Sequence, residues 1–229
     1  MSTNSFFAKF LRFIGIVLMA LTGGVTLLGG IGTTCVALKP TGFGDSMAGL
    51  APFQWLYILF VLAGIALGVM GIRATVMLIK GTDKSYSDAM VALIAGVIVG
   101  FIHIYMSRML RGASMPVDAV VYVTILTLAI FLLFKIPAIW QGVDFAKAKA
   151  ESNKKAGGAA AILLGIMTLT IQFTMGSTHT WGGVNYADVF NTSMTAIGLG
   201  LLLFGAIFFI PWAKARHSLQ IQKEGNLSA

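Results

Sequence analysis

Acidic side chains are scarce in this chain: eight among 229 residues, all of them between long apolar runs or at the ends of those runs. A proton-coupled transporter usually carries an acid within the membrane, and no run supplies one. Cysteine is represented only by Cys35, so an internal disulfide is excluded. Histidine occurs three times, as His103, His179 and His217, and no HExxH, CxxC, GxSxG or phosphate-binding loop is present. The common routes to metal, thiol, serine and phosphoryl chemistry are therefore missing. The expectation is a protein that is not an enzyme, with no cofactor and no metal.

What the chain has instead is apolar length. Hydrophobic residues make up 57%, charged residues 10%, and the mean hydropathy is +0.88, more apolar surface than a water-soluble domain could cover. Crossing about 30 Å of hydrocarbon takes about 20 apolar residues in a helix. Six runs qualify: Phe10–Leu38, Phe53–Lys80, Ala89–Leu110, Val117–Trp140, Ala159–Met175 and Met194–Ala213. Membrane strands would alternate over shorter segments, so the expected class is all-α, a polytopic membrane helix bundle of six transmembrane helices arranged as three hairpins. The short connections argue for one domain over 1–229.

Lysine and arginine set the orientation, because cytoplasmic connections retain them. With the N-terminus inside, the inner segments hold Lys9, Arg12, Arg73, Lys80, Lys84, Lys147, Lys149, Lys154, Lys155, Lys214, Arg216 and Lys223. The outer loops hold only Lys39, Arg108 and Arg111. Both termini are expected to be cytoplasmic, in a multi-pass protein of the cell membrane. The net charge of +8 reads as this asymmetry together with attraction to anionic headgroups. The basic residues are not interleaved with aromatics, which excludes nucleic acid as a partner. The first apolar run is far longer than a signal peptide's core, so it reads as a retained helix.

Several local readings follow. The stretch from Gln141 to Gly158 reads as a cytoplasmic prolongation of the fourth helix. Trp55, Tyr57, Tyr105, Tyr122, Trp181 and Tyr186 form an outer aromatic belt, with Tyr86, Trp140 and Trp212 on the inner side. Gly64 and Gly68, and Gly96 and Gly100 with Ala92, are small-residue ladders for close helix packing. Ala20 with Gly24, Ala161 with Gly165, and Ala196 with Gly200 are looser versions. The fourth run has no glycine before Gly142, which places it on the lipid-facing perimeter or against a partner subunit.

Polar residues form stripes on the three outward-running helices. Thr22, Thr26, Gly29 and Thr33 recur at helical spacing, as do Gly96, Gly100, His103 and Ser107, and Ala161, Gly165, Thr168 and Gln172, with His179 following in a loop. Converging, they would line an outer-half cavity with His103 and Gln172 near its floor, where Arg108 and Arg111 could attract an anion. The alternative is ordinary membrane packing, in which each hydroxyl bonds its own backbone and His103 and Gln172 bond across helices.

Two catalytic comparisons fail on their partners. Gly42-Phe43-Gly44-Asp45 matches the GxGD string of intramembrane aspartyl proteases, but that chemistry needs two facing aspartates, and Asp45 has no second acid in any run. Haem between helices would have only His103 and His179 as a ligand pair. The first functional expectation is a non-catalytic packing or scaffold component of a membrane assembly, with lipid and other membrane subunits or further copies of itself as partners. The second is a small-solute transporter or channel-like protein with an outer-half polar cavity. The third is a quinone or haem redox anchor.

Overall fold

The computed structural model describes residues 2–147 and 150–210. The expectations that rest on Trp212, Lys214, Arg216, His217 and Lys223 fall outside the described residues, as does Lys149.

Helix α1 spans Phe6–Leu38 and is capped by Ser5, whose side chain accepts the Ala8 amide. After short helical turns over Pro40–Gly42, Asp45–Ala48 and Ala51–Phe53 comes α2, Gln54–Lys80. It stops at Gly81, whose φ of 69° is the left-handed conformation that a β-carbon disfavours. Helix α3, Ser85–Arg111, stops in the same way at Gly112. Helix α4 is Val117–Phe134, α5 is Pro137–Val143, α6 is Ala150–Leu169 and α7 is Asn191–Ile207. Between α6 and α7 lie short helical turns and a two-residue antiparallel bridge that pairs Thr180 with Asn185 and Trp181 with Val184. Below, the end of the bundle where α1 begins is called basal and the end where it finishes distal.

Four helical segments, Phe6–Leu38, Asp45–Lys80, Ser85–Arg111 and Val117–Phe134, are long and apolar enough to cross a membrane. Their outer faces carry exposed Leu59, Leu62, Ile98, Phe101, Leu126 and Leu132, which suits a lipid solvent. The helices close into a ring: α1 packs on α2, α2 on α3, α3 on α4, and α4 back on α1. Helix α6 lies outside this ring against α1 and α2, and α7 makes its main contact with α6.

Glycine lets these backbones approach. A β-carbon on Gly23 would lie 2.8 Å from the Gly71 carbonyl carbon, and one on Gly30 would lie 2.8 Å from the Ile65 amide nitrogen. Gly68 faces the Leu27 backbone at 2.6 Å, so the α1–α2 seam is continuous over two turns of each helix. Gly158 faces Gly205, and Gly165 faces Gly198, in the α6–α7 seam. Gly200 has nothing within 4 Å of a built β-carbon. The seam therefore uses Gly198 and Gly205, not the Ala196–Gly200 pair expected from the sequence.

The basal half is closed by aromatic packing. Phe131, Phe134 and Phe145 are fully buried, the Tyr86 hydroxyl donates to the Phe131 carbonyl at 2.7 Å, and the Lys135 ammonium lies 4.4 Å from the Trp140 ring centre. Arg12, 2% exposed, reaches across the base and donates to the carbonyls of Gly142 at 2.6 Å and Thr3 at 2.9 Å. It pins α1 to the C-terminal end of α5, where a cation also complements the helix dipole. Asn153 of α6 is buried and donates to the Leu78 carbonyl of α2 at 3.2 Å.

Several expectations are corrected. The fourth run ends at Phe134, because Pro137 disfavours helical backbone at the residue before it, and Ile136 has a ψ of 125°. Residues 150–158 open α6 and do not prolong the fourth helix; Ala and Lys are good helix formers that hydropathy overlooks. The fifth run breaks at Thr170, with a separate turn over Ile171–Thr174. Helix α4 keeps an exposed outer face at Tyr122, Leu126 and Leu132, as a lipid-facing helix requires, but its opposite face packs closely into the bundle. Its Val121 fits against Gly100 of α3, and its Phe134 fits against Gly15 of α1. Tyr57 and Tyr86 are buried within the bundle, while Trp55, Tyr105 and Tyr122 are exposed as a belt requires.

Candidate functional site

A cleft of about 70 Å³ lies on the axis of the α1–α4 ring, in its distal half. Thr26, Gly29, Gly30 and Thr33 line it from α1, Phe60 and Gly64 from α2, Gly96, Gly100 and His103 from α3, and Val117, Val120 and Thr124 from α4. A smaller space of about 10 Å³ continues it toward the base between Met19, Thr22, Gly71 and Leu93. The two share Thr26, Leu67, Gly96 and Thr124 as walls, so the axis is a tapering line of small residues that stops above the basal aromatics. Its cause is local: each helix turns glycine or threonine inward where its neighbours would otherwise interdigitate.

Most polar groups around the axis are satisfied by the protein. Thr33 donates to the Gly29 carbonyl at 2.7 Å, and Thr124 to the Val120 carbonyl at 2.8 Å. Thr127 donates to the Val123 carbonyl at 2.9 Å, which leaves its oxygen to accept from Thr22 at 2.8 Å. Ser107 shares a hydrogen bond of 2.8 Å with the Tyr57 hydroxyl. His103 differs. Its ring stacks on Phe60 at 4.3 Å and 15° and takes Tyr57 edge-on at 5.5 Å. Phe60 covers one face of the imidazole, neither contact gives its two nitrogens a hydrogen-bond partner among the described residues, and the ring borders the cleft.

The distal rim is tied by a charged network. Arg108 donates to Asp118 at 2.9 Å and to the Ser114 hydroxyl at 2.9 Å, and Ser114 donates to the other Asp118 oxygen at 2.6 Å. Arg111 donates to the Met115 carbonyl at 2.7 Å and approaches the Met47 sulfur at 3.8 Å. Both guanidiniums expected to attract an anion are thus engaged in holding the α3–α4 connection.

The structure brings together only part of the expected site. Thr33 and His103 share the cleft, and Ser107 supports it through Tyr57. Thr168, Gln172 and His179 do not line it, because α6 lies on the other side of α1. Thr168 is buried and bonds its own helix at the Leu164 carbonyl. The Gln172 side-chain oxygen is buried with no hydrogen-bond partner among the described residues, while its backbone carbonyl accepts from Asn185. The His179 Nδ1 lies 2.9 Å from the Met175 carbonyl, and its other nitrogen faces Gly32 of α1. Gly64, Gly96 and Gly100 serve both packing and cleft, whereas Gly68 serves the α1–α2 seam.

Sequence reasoning missed Phe60, Thr124, Thr127 and the Asp118 partnership. Thr124 and Thr127 carried a readable signal, being isolated polar residues in a run otherwise rich in Val, Ile, Leu and Phe. Phe60 carried none, since one aromatic in an apolar helix has no distinguishing pattern. Among the described residues no three His, Cys, Asp or Glu side chains gather as a metal site. The chain matches no family model, no curated protein and no solved structure, so its function must be argued from this geometry.

Proposed function

We propose that this chain is a transporter or channel-like protein of the cell membrane that takes a small solute in the axial cleft of its α1–α4 ring. The chain crosses the membrane six times as three hairpins, with α6 and α7 as the fifth and sixth crossings and both termini cytoplasmic. At 20 and 17 residues these two helices measure about 30 and 26 Å, close to the hydrocarbon thickness. The distal end is then the outer face, and the cleft opens the outer half while the Phe131 and Phe134 cluster closes the inner half.

One observation carries this reading: an imidazole with no hydrogen-bond partner among the described residues borders a cavity walled by glycine and threonine. His103 is partly buried on the cavity wall, so its nitrogens are placed to bond water or a solute inside the cleft. A ring placed only for packing would be cheaper as phenylalanine. The reading as a scaffold component drew on the missing chemistry, the small-residue seams and the glycine-free fourth helix, and it gives this cleft no role. No described residue supports a haem ligand pair, since His179 is turned toward α1 from the far side.

Purified protein in lipid vesicles tests the proposal. Vesicles should become permeable to at least one small solute among water, urea, glycerol, chloride and nitrate, and His103→Leu should cut that flux several-fold at unchanged thermal stability. Permeability equal to that of protein-free vesicles for all five refutes it.

A further inference from the structure

We infer that the occupant of the cleft is an uncharged molecule of a few heavy atoms that presents N–H or O–H donors to the walls. This rests on the transport reading above and narrows it.

Charge is excluded by the lining. Among the described residues no Asp, Glu, Lys or Arg borders the cleft, so an ion entering it would lose water without gaining a counter-charge. The nearest cations offer no remedy. Arg108 is paired with Asp118, and Arg111 is turned to the Met115 carbonyl. Both guanidiniums are held at the rim by these partners, and neither is part of the cleft wall.

Hydrogen-bond polarity comes from the threonines. Thr33 and Thr124 have each given their one proton to a carbonyl four residues earlier on the same helix. What their oxygens can still offer is lone pairs, which take a donor, while the Thr26 hydroxyl, with no hydrogen bond to the described residues, can both donate and accept. His103 adds one acceptor and one donor, with Phe60 covering one face of its ring and Tyr57 set edge-on to it. Size follows from the volume: about 70 Å³ is open to the centre of a water-sized sphere, where about 10–15 Å³ of such space holds one water, so a few heavy atoms fit. Water, urea and small alcohols or amides fit this description, and hydrated ions do not.

The test compares uncharged and charged probes in vesicles holding the full chain, with Gly29→Ala as the probe of the path. A β-carbon at Gly29 meets Val120 at 3.5 Å, an ordinary contact, so the fold should tolerate it while the cleft narrows. Stopped-flow light scattering should show water or urea crossing at least threefold faster than in protein-free vesicles. Gly29→Ala should reduce that gain by at least half, and chloride and nitrate should cross no faster than in protein-free vesicles. Chloride or nitrate flux that Gly29→Ala reduces overturns the neutral-solute inference and leaves the transport reading standing. Uncharged flux indifferent to both Gly29→Ala and His103→Leu overturns the assignment to this cleft. Permeability raised for none of the probes overturns the inference together with the transport reading.

Discussion

The His103 ring of α3 lies parallel to the Phe60 ring of α2, with 4.3 Å between their centres and 15° between their planes. The stack holds the imidazole against one wall of the cleft and leaves its nitrogens for other partners. His103→Leu should therefore keep most of the apolar contact and the fold, with a change in unfolding temperature of a few degrees at most, and lose solute flux. His103→Gln should keep a hydrogen-bonding group and retain part of the flux. A large fall in stability with both variants, measured by thermal unfolding in detergent, would assign His103 to structure alone.

The α6–α7 seam provides an internal comparison of two glycines on one helix. A β-carbon on Gly198 would come within 2.6 Å of Leu169, whereas Gly200 has open space. Gly198→Leu should destabilise the protein by about 1–3 kcal/mol, the usual cost of overpacking, and Gly200→Leu should be close to neutral. Unfolding in detergent checks this, and equal effects at the two positions would show that α7 packs in another register.

Thr22 and Thr127 join α1 to α4 at 2.8 Å, with Thr127 already donating to its own helix. A double-mutant cycle with Thr22→Val and Thr127→Val should give a coupling of about 0.6 kcal/mol, the average for such bonds within membranes. A coupling of zero would mean that the two hydroxyls do not depend on each other.

At the distal rim, Asp118 is 5% exposed and paired with a half-exposed Arg108. Arg108→Ala leaves that carboxylate without its cation. The loss should fall between about 1 kcal/mol for an exposed pair and about 3 kcal/mol for a buried one. Adding Asp118→Asn should recover part of it, because the unpaired charge is then removed. Thermal unfolding of the single and double variants reads this directly.

Where helices begin and end was legible wherever a residue forces the backbone. The second run, Phe53–Lys80, became Gln54–Lys80, and Gly81 and Gly112 ended α2 and α3 for a stereochemical reason visible in the letters. Pro137 gave the same kind of signal and was overlooked. Which helices are neighbours was not legible. A glycine-free helix can face lipid on one side and still pack closely on the other when its neighbours supply the grooves. Here the grooves for Val121 and Phe134 come from Gly100 and Gly15 on other helices. The same limit divided the site: the stripes holding His103 and Gln172 look alike along their own helices, but α3 is part of the ring and α6 lies outside it. Periodicity fixes a face, and not what that face meets.

The central claim, that the axial cleft is a solvent-reached site in the outer half of the membrane, is tested most directly by thiol accessibility. In a Cys35→Ser background, cysteines at Val120 in the cleft, at Leu126 on the exposed face of the same helix, at Val184 in the distal loop and at Ser152 near the start of α6 are each offered a small impermeant methanethiosulfonate in intact cells. The thiolate that reacts forms only in water, so lipid-facing positions stay inert. The account predicts that Val120→Cys and Val184→Cys react while Leu126→Cys and Ser152→Cys do not. A Val120→Cys as unreactive as Leu126→Cys would show a dry gap in the packing and contradict the account, and labelling of Ser152→Cys with protection of Val184→Cys would place the cleft on the cytoplasmic side.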